Sequence, residues 1–153
     1  MYQEYQRILV AIDGSREAER AFKKAVEVAK RNNATLIIAH VIDTRSYQSF
    51  STFDGSIADN AKTEARNTLN EYKEYAAKEG LAETVTVLEF GSPKVMVAKQ
   101  IPDAQNVDLI ILGATGLNAV ERLFIGSVSE YVIRHARCDV LIVRTDLDNH
   151  VPD

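Results

Sequence analysis

The chain has 153 residues, enough for one domain with a buried core and too few for two domains of ordinary size. Its 18 basic residues against 22 acidic ones leave a net charge of -4 with no cationic stripe, which argues against nucleic acid as a partner. Because no apolar run is long enough for a signal peptide or a membrane span and the single cysteine, Cys138, suits a reducing compartment, we expect a cytoplasmic protein without a membrane partner.

Apolar runs of strand length alternate with segments of helical periodicity along the chain. Strands are predicted at residues 7–12, 35–41, 84–89, 108–112 and 139–144, and the nearly continuous apolar composition of the first is typical of a strand covered on both faces. Strands that alternate with helices indicate a parallel sheet. We therefore predict an α/β fold in a single domain over residues 1–153: an open, doubly wound, five-stranded parallel sheet with helices on both faces.

Four helices are predicted between these strands, the second of them over about residues 58–79. Their predicted ends carry residues that commonly begin or end helices, namely Ser15, Asn33, Gly80, Ser92 and Gly126. Pro102 is expected to limit the third helix to about two turns, because proline has no N–H to donate and its ring disturbs the preceding turn.

Two polar segments show neither the apolar runs of strands nor the periodicity of helices. Residues 43–57 are too many for a tight connection between a strand and a helix, so we expect a mobile loop there. Residues 145–153 are expected to form a frayed tail, because the ends of a domain are ordered only where they are tied down.

Glycines follow the fourth strand in a pattern that suits phosphate binding. Gly113 and Gly116 come first, and Gly126 and Ser127 follow after nine residues at a helix start. Glycine lets the main chain approach a ligand closely, and helix N–H groups attract anions. Asp13 follows the first strand. If the strand order is 3-2-1-4-5, strands one and four are neighbours where the order reverses, and both loops border one crevice.

The pattern G-x2-G-x9-G-S, the opening RILVAIDGSREAERAFKKAVEVAK and the close LFIGSVSEYVIRHARCDVLIVR together resemble the universal stress protein family over residues 7–144. Within that family, the glycine pattern is similar to that of the ATP-binding branch. The resemblance implies a regulatory, stress-response protein with a five-stranded, doubly wound fold that forms homodimers. The implied ligand is ATP, or AMP or ADP in its place, with Mg²⁺ bound through the phosphates.

The resemblance also implies which residues contact the nucleotide. Carried over by position, they are Ala11, Asp13, Val41, Leu112, Gly113, Gly116, Gly126, Ser127, Val128 and Ser129. Asp13 and Val41 would lie by the adenosine, Val41 through its main chain. Gly113 and Gly116 would approach the ribose and phosphates, and residues 126–129 would hold the phosphates at the helix start.

Structural explanations exist for some of the same residues. Asp13 to Ser15 is typical of a turn in which the serine caps a helix, and Ser127 with Glu130 is typical of a capping box. Capping does not explain three glycines at these intervals. The segment before the last strand lacks the prolines common in the family, a departure that weakens the dimer inference and leaves the nucleotide loop untouched.

Three functional hypotheses stay open. The first is a nucleotide-binding regulatory protein read by an unknown protein partner, the second a slow ATPase or phosphotransferase, and the third a ligand-free dimeric interaction module. No lysine follows Gly126 and Ser127 as in a Walker A loop, and no paired acids stand at strand ends to hold magnesium, so no catalytic residue is assigned. No spacing typical of protein metal ligands is found either.

The last strand suggests how the chain associates. In the order 3-2-1-4-5 this strand is an edge, and its apolar residues are Val140, Leu141, Ile142 and Val143. An apolar edge without proline or lysine favours pairing with another strand. Pairing with its own copy around a twofold axis satisfies both edges, which predicts a homodimer.

Overall fold

The computed structural model describes residues 4–46, 55–114 and 125–152. Within these ranges, five parallel strands form one sheet in the order β3-β2-β1-β4-β5. The strands are β1 (Arg7–Ile12), β2 (Thr35–Asp43), β3 (Thr84–Gly91), β4 (Leu109–Gly113) and β5 (Asp139–Val143). The predicted fold class and strand order are confirmed, with several strand ends shifted by one or two residues.

Helices cover both faces of this sheet. They are α1 (Arg16–Asn32), α2 (Ser56–Lys78), α3 (Pro93–Val95), α4 (Ile101–Gln105) and α5 (Ser127–His135). A 3-10 turn at Thr44–Ser46 follows β2, and a π-helical turn at Met96–Gln100 joins α3 to α4. In the described part of the chain, no helix is both long and apolar enough to cross a membrane.

Side chains of each strand alternate between the cores on the two sides of the sheet. In β1, Ile8 and Val10 pack with α1 and α2, whereas Leu9 packs with the π turn and α5, and all three are fully buried. On the α1 side, the ring of Phe22 meets that of Tyr72 edge to face at 4.6 Å between centroids. Burial on both faces explains why β1, β2 and β4 have nearly continuous apolar sequences.

The predicted helix ends are largely confirmed. Ser15 accepts a hydrogen bond from the Ala18 N–H at 3.1 Å and so caps α1. Asn33 ends that helix in the left-handed region at φ 53°, and Gly80 follows α2 at φ 92°.

The prediction that Pro102 limits the third helix to about two turns is wrong. Helical backbone continues over residues 93–105, with Pro102 buried inside it. The π turn explains this, because the Ile101 N–H donates to the carbonyl of Met96, five residues earlier, and the helix is already widened there. Pro102 then falls in the first turn of α4, where a missing N–H costs little.

The two polar segments have ordered ends in the structure. Asp43 is the last residue of β2 and Ser56 the first of α2, while residues 47–54 lie outside the described ranges. In the tail, the Lys24 ammonium on α1 donates to Thr145 Oγ1 at 3.1 Å and to Asn149 Oδ1 at 2.6 Å. That the loop is mobile and that the tail frays stay predictions.

Gly113, the last residue of β4, lies directly against the first turn of α1. A Cβ at this position would come within 2.8 Å of the carbonyl oxygen of Glu17 and 2.9 Å of its carbonyl carbon. Both neighbours are backbone atoms, so they cannot give way without moving the helix. The missing side chain at residue 113 therefore lets α1 begin close to the ends of β1 and β4.

We expect Gly113→Ala to lower the free energy of unfolding by about 1–3 kcal/mol, because the added methyl group forces α1 to shift. Gly55→Ala is the matched control, since Gly55 has φ -79° and, among the described residues, a Cβ there would meet only Asp59 Oδ2 at 3.8 Å. Gly55→Ala should lower the free energy of unfolding by less than about 1 kcal/mol. Urea unfolding followed by circular dichroism measures both, and a Gly113→Ala variant as stable as the wild type would contradict this packing role.

Candidate functional site

The carboxyl ends of β1 and β4 lie side by side at the point where the strand order reverses. β1 pairs with β2 on one side and with β4 on the other, where Ile8 is opposite Leu109 and Val10 opposite Ile111. In open α/β sheets, a crevice forms beyond the strand ends at such a reversal. The structure thus brings together the segments after β1 and β4, as the predicted strand order requires.

On the β1 side, Asp13 and the two residues after it form a tight turn. The Ser15 N–H donates to Asp13 Oδ1 at 2.9 Å, and Gly14 has φ 85°, a conformation that favours glycine. Because Ser15 also caps α1, the structural explanation of this sequence is confirmed. The Asp13 side chain is nonetheless exposed at the carboxyl end of the sheet.

Val41 presents a main-chain carbonyl that lies beyond the end of β1. Main-chain groups of β2 point alternately to its two neighbours: the Thr35 N–H donates to Gln6 on the β1 side, and the Leu36 N–H donates to Glu83 on the β3 side. Val41 is six residues after Thr35, so its N–H and C=O also point towards β1. By the same register, in which Ile12 is opposite His40, the Val41 N–H faces the carbonyl of Ile12, the last residue of β1. The Val41 carbonyl lies beyond that point and faces the crevice.

Ala11 and Leu112 lie on the face of the sheet that packs with α5. Leu112 is buried and Ala11 is half-buried, so both side chains pack in the core on that face of the sheet. Gly113 follows Leu112, and its carbonyl accepts a 2.7 Å hydrogen bond from the Ser129 hydroxyl. Gly116 lies outside the described residues, and its placement stays a prediction.

The first turn of α5 begins without a side-chain cap. Gly126 is the N-cap residue, with φ -63° and ψ 160°, and in the described part of the chain no side chain bonds to the helix start. The main-chain N–H groups of Ser127, Val128 and Ser129 lie in the first turn, where an α-helix offers no internal acceptor. Ser127 is exposed, Val128 is half-buried and Ser129 is buried.

The predicted capping box of Ser127 and Glu130 is wrong. Ser127 is the first helical residue rather than the cap, so its hydroxyl is not placed to bond to the turn that follows. The Glu130 carboxylate instead pairs with Arg134 at 2.9 Å, one turn further along the helix. Consequently the helix start is left to main-chain donors.

Hydrogen bonds fix α5 to the ends of β4 and β5. The Gly126 N–H donates to the carbonyl of Ala114 at 2.9 Å, and the Ala114 N–H donates to the carbonyl of Val143 at 3.3 Å. With the bond from Ser129 to Gly113, two hydrogen bonds connect the helix start to the end of β4, and the third connects Ala114 to β5. The donors of the first turn are therefore held in place before any ligand arrives.

His40 is a further polar group at this end of the sheet, and sequence reasoning assigned it no role. Its Nδ1 is buried, and no hydrogen-bond partner for it lies among the described residues. Burial lowers the pKa of His40, and the Asp13 carboxylate opposes that effect. A groove of about 270 Å³ runs beside it between the end of β2 and α2, and it is lined by Asp43, Glu64 and Thr68 among others.

The remaining polar groups give no metal centre. Among residues 4–46, 55–114 and 125–152, no three His, Cys, Asp or Glu side chains lie close enough together to hold a metal ion. Cys138 is half-buried, and burial raises the pKa of its thiol. A thiol with a raised pKa is a poor nucleophile.

Comparison with protein families matches residues 4–144 to the universal stress protein family. Among curated proteins, a Staphylococcus aureus protein named as a universal stress protein is 52% identical over 142 residues. The aligned segment covers 93% of this chain and 86% of the Staphylococcus protein.

Solved structures of universal stress proteins share the fold. UspA from Lactobacillus plantarum is 30% identical with a TM-score of 0.80, covering 94% of this chain and 100% of its own. A universal stress protein in complex with cAMP is 26% identical with a TM-score of 0.73, covering 98% and 100%. The universal stress protein from Archaeoglobus fulgidus in complex with dAMP is 27% identical with a TM-score of 0.64, covering 92% and 98%.

The lowered pKa of His40 makes stability depend on pH. As pH falls through about 6.5, the unfolded chain takes up a proton before the folded chain does, so the free energy of unfolding declines. We expect His40→Gln to flatten this decline between about pH 7 and pH 5.5, as measured by urea midpoints at both pH values. His150→Gln is the control in the exposed tail, and it should keep the decline in the free energy of unfolding. A His40→Gln variant with the wild-type decline would contradict this assignment.

Proposed function

This chain belongs to the universal stress protein family, and we propose that it binds an adenine nucleotide, ATP with Mg²⁺, in the crevice beyond β1 and β4. The observation that carries the proposal is the uncapped, fixed first turn of α5, which lies after β4 at the carboxyl end of the sheet. In the cytoplasm, the nucleotide state would be read by a protein partner, as suits a regulatory protein.

The phosphates bind at the start of α5. Three consecutive N–H groups, from Ser127 to Ser129, point out of the helix end, and the helix dipole adds positive potential there. Gly126 has no side chain to block the approach of an anion. The hydroxyl of Ser127, which is exposed, donates a further hydrogen bond to a phosphate oxygen.

The adenine base binds along the uncovered edge of β2. Val41 offers its C=O as an acceptor beyond the end of β1. Adenine carries an exocyclic amino donor, which complements this carbonyl. Asp13 lies one residue beyond β1 and accepts hydrogen bonds from ribose hydroxyls. The two family members crystallised with cAMP and dAMP support adenine nucleotides as the ligand class.

Mg²⁺ fits this site only as a partner of the phosphates. Mg²⁺ commonly keeps several waters and takes one or two carboxylates together with substrate phosphates, rather than a cage of protein ligands. Since no three His, Cys, Asp or Glu side chains of the described residues could hold the ion, phosphates and waters would supply its ligands. The metal, when bound, neutralises phosphate charge, while the chain itself binds and orients the nucleotide.

Calorimetry with ATP and Mg²⁺ tests this proposal. We expect a dissociation constant of about 1 μM or tighter, which corresponds to about 8 kcal/mol of binding free energy. Gly126→Glu should abolish this binding, because a carboxylate would occupy the place of a phosphate and repel it. The variant should fold, since φ at Gly126 is -63°, a value that any residue adopts.

Ser127→Ala is the milder companion, because it removes one hydroxyl donor and leaves the main-chain donors in place. We expect it to weaken ATP binding by about 0.5–1.5 kcal/mol. Circular dichroism checks that both variants are folded. Normal ATP binding by folded Gly126→Glu would show that the start of α5 is not the phosphate site.

We also propose that the chain forms a homodimer through β5. β5 is an edge of the sheet, and Leu141 is 40% exposed on it. Val140 and Ile142 are half-buried against the α5 side, and Val143 is buried. Ile133 on α5 adds a second large apolar side chain at 47% exposure. Pairing of two β5 edges around a twofold axis would cover these groups.

Light scattering should therefore give twice the 17.0 kDa mass of one chain at micromolar concentration. Leu141→Glu should shift the mass towards the monomer, because two carboxylates would be forced into one apolar contact. Leu147→Glu is the matched control, since Leu147 is 49% exposed but lies in the tail beyond β5. A monomeric wild type would rule out this dimer.

A further inference from the structure

Two helices of one layer begin at the same end of the sheet. α3 follows the carboxyl end of β3 after Ser92 alone, and α5 begins beyond the carboxyl end of β4. The two helices pack against each other. Lys94, the second residue of α3, therefore lies at the same end of the sheet as the first turn of α5.

Two lysine ammonium groups lie near the ring of Tyr131 on α5. Lys94 Nζ lies 5.3 Å from the ring centroid and Lys99 Nζ lies 5.9 Å from it. Both distances allow a cation–π interaction. The ring of His135 packs on the same tyrosine at 4.3 Å, one helical turn further from the start of α5.

Neither lysine has a carboxylate partner in the part of the chain that the structure describes. The acidic side chains of α5 and α4 pair with arginines instead: Glu130 of α5 with Arg134 at 2.9 Å, and Asp103 of α4 with Arg137 at 4.0 Å. Two positive charges thus lie near one aromatic ring, without a carboxylate partner among the described residues. An anion that reached them would gain Coulombic attraction from both.

The position of Tyr131 brings this charge close to the helix start. Tyr131 is one turn after Ser127, a rise of about 6 Å along the axis, and helical side chains lean towards the N-terminus. Lys94 lies nearer the beginning of its own helix than Lys99 does, so it is the lysine at the crevice end of the pair. Its side chain is exposed and long enough to turn from the ring towards a ligand.

We propose that Lys94 binds the outer phosphates of the nucleotide, so that the site selects nucleoside triphosphates over monophosphates. This inference rests on the proposed function. The N–H groups of α5 take the phosphate nearest the ribose, and Lys94, held over Tyr131 beside Lys99, takes the charge that a longer phosphate chain adds. Lys94 thereby supplies the cation that a Walker A loop obtains from its own lysine.

Affinities for AMP, ADP and ATP, each measured with Mg²⁺, test the proposal in the wild type and in three variants. We expect Lys94→Gln to weaken ATP binding by about five- to tenfold and AMP binding by less than about twofold. Lys94→Arg keeps the charge and should keep most of the ATP affinity. Lys73→Gln is the matched control, because Lys73 is exposed late in α2, towards the opposite end of the sheet.

The outcomes decide whether Lys94 binds the outer phosphates. Loss of ATP affinity with AMP affinity retained supports the assignment, and a steeper salt dependence for ATP in the wild type than in Lys94→Gln supports it further. Equal losses for AMP and ATP, or no loss for ATP, overturn it while leaving nucleotide binding intact. A wild-type chain that binds none of the three nucleotides overturns the proposed function itself, and the inference with it.

Discussion

The crevice depends on where β1 stops. Gly14 turns the chain at φ 85° and Ser15 caps α1 directly afterwards, so β1 cannot continue beside β2. β2 itself runs on to Asp43. This difference in length leaves the carbonyl of Val41 without a strand partner on the β1 side. A turn that looks purely structural in the sequence therefore creates the uncovered edge on which base recognition is proposed to rest.

Gly113 joins the fold to the site from the other side of the crevice. Its missing Cβ lets the backbone of α1 come close at Glu17, and its carbonyl accepts the hydroxyl of Ser129 in α5. One residue thus sets the positions of two helices whose first turns border the crevice. The glycine pattern in the sequence combines a packing requirement at Gly113 with the unobstructed helix start at Gly126, and sequence alone does not separate the two.

Apolar runs of strand length were sufficient to predict the five strands, and those of β1, β2 and β4 are nearly continuous because these strands are buried on both faces. The strand order 3-2-1-4-5 was a hypothesis under which the loops after strands one and four border one crevice, and the pairing of β1 with β4 agrees with it. Local rules failed where a neighbouring turn changed the geometry: the π turn at Met96–Gln100 accommodates Pro102, and the extended backbone of Gly126 makes it the cap in place of Ser127. Both depend on main-chain conformations that residue type does not determine.

The contacts of Lys94 and Lys99 with the ring of Tyr131 could not be predicted from the sequence for a different reason. Lys94 and Tyr131 are far apart in the chain and meet only because α3 and α5 pack in one layer. The orientation of the Val41 main chain likewise depends on the register between β1 and β2. Such pairings are properties of the sheet and its layers, so periodicity and motif spacing do not reveal them.

The most direct measurement is a ¹H–¹⁵N spectrum of the protein titrated with ATP and Mg²⁺. Amide signals report on the N–H groups themselves, and those groups carry the proposed phosphate site. We expect the largest shifts at Ser127, Val128 and Ser129, together with Val41 at the edge of β2. Shifts confined to the groove between α1 and the tail, around Arg20 and Asp148, would contradict binding in the crevice between β1 and β4.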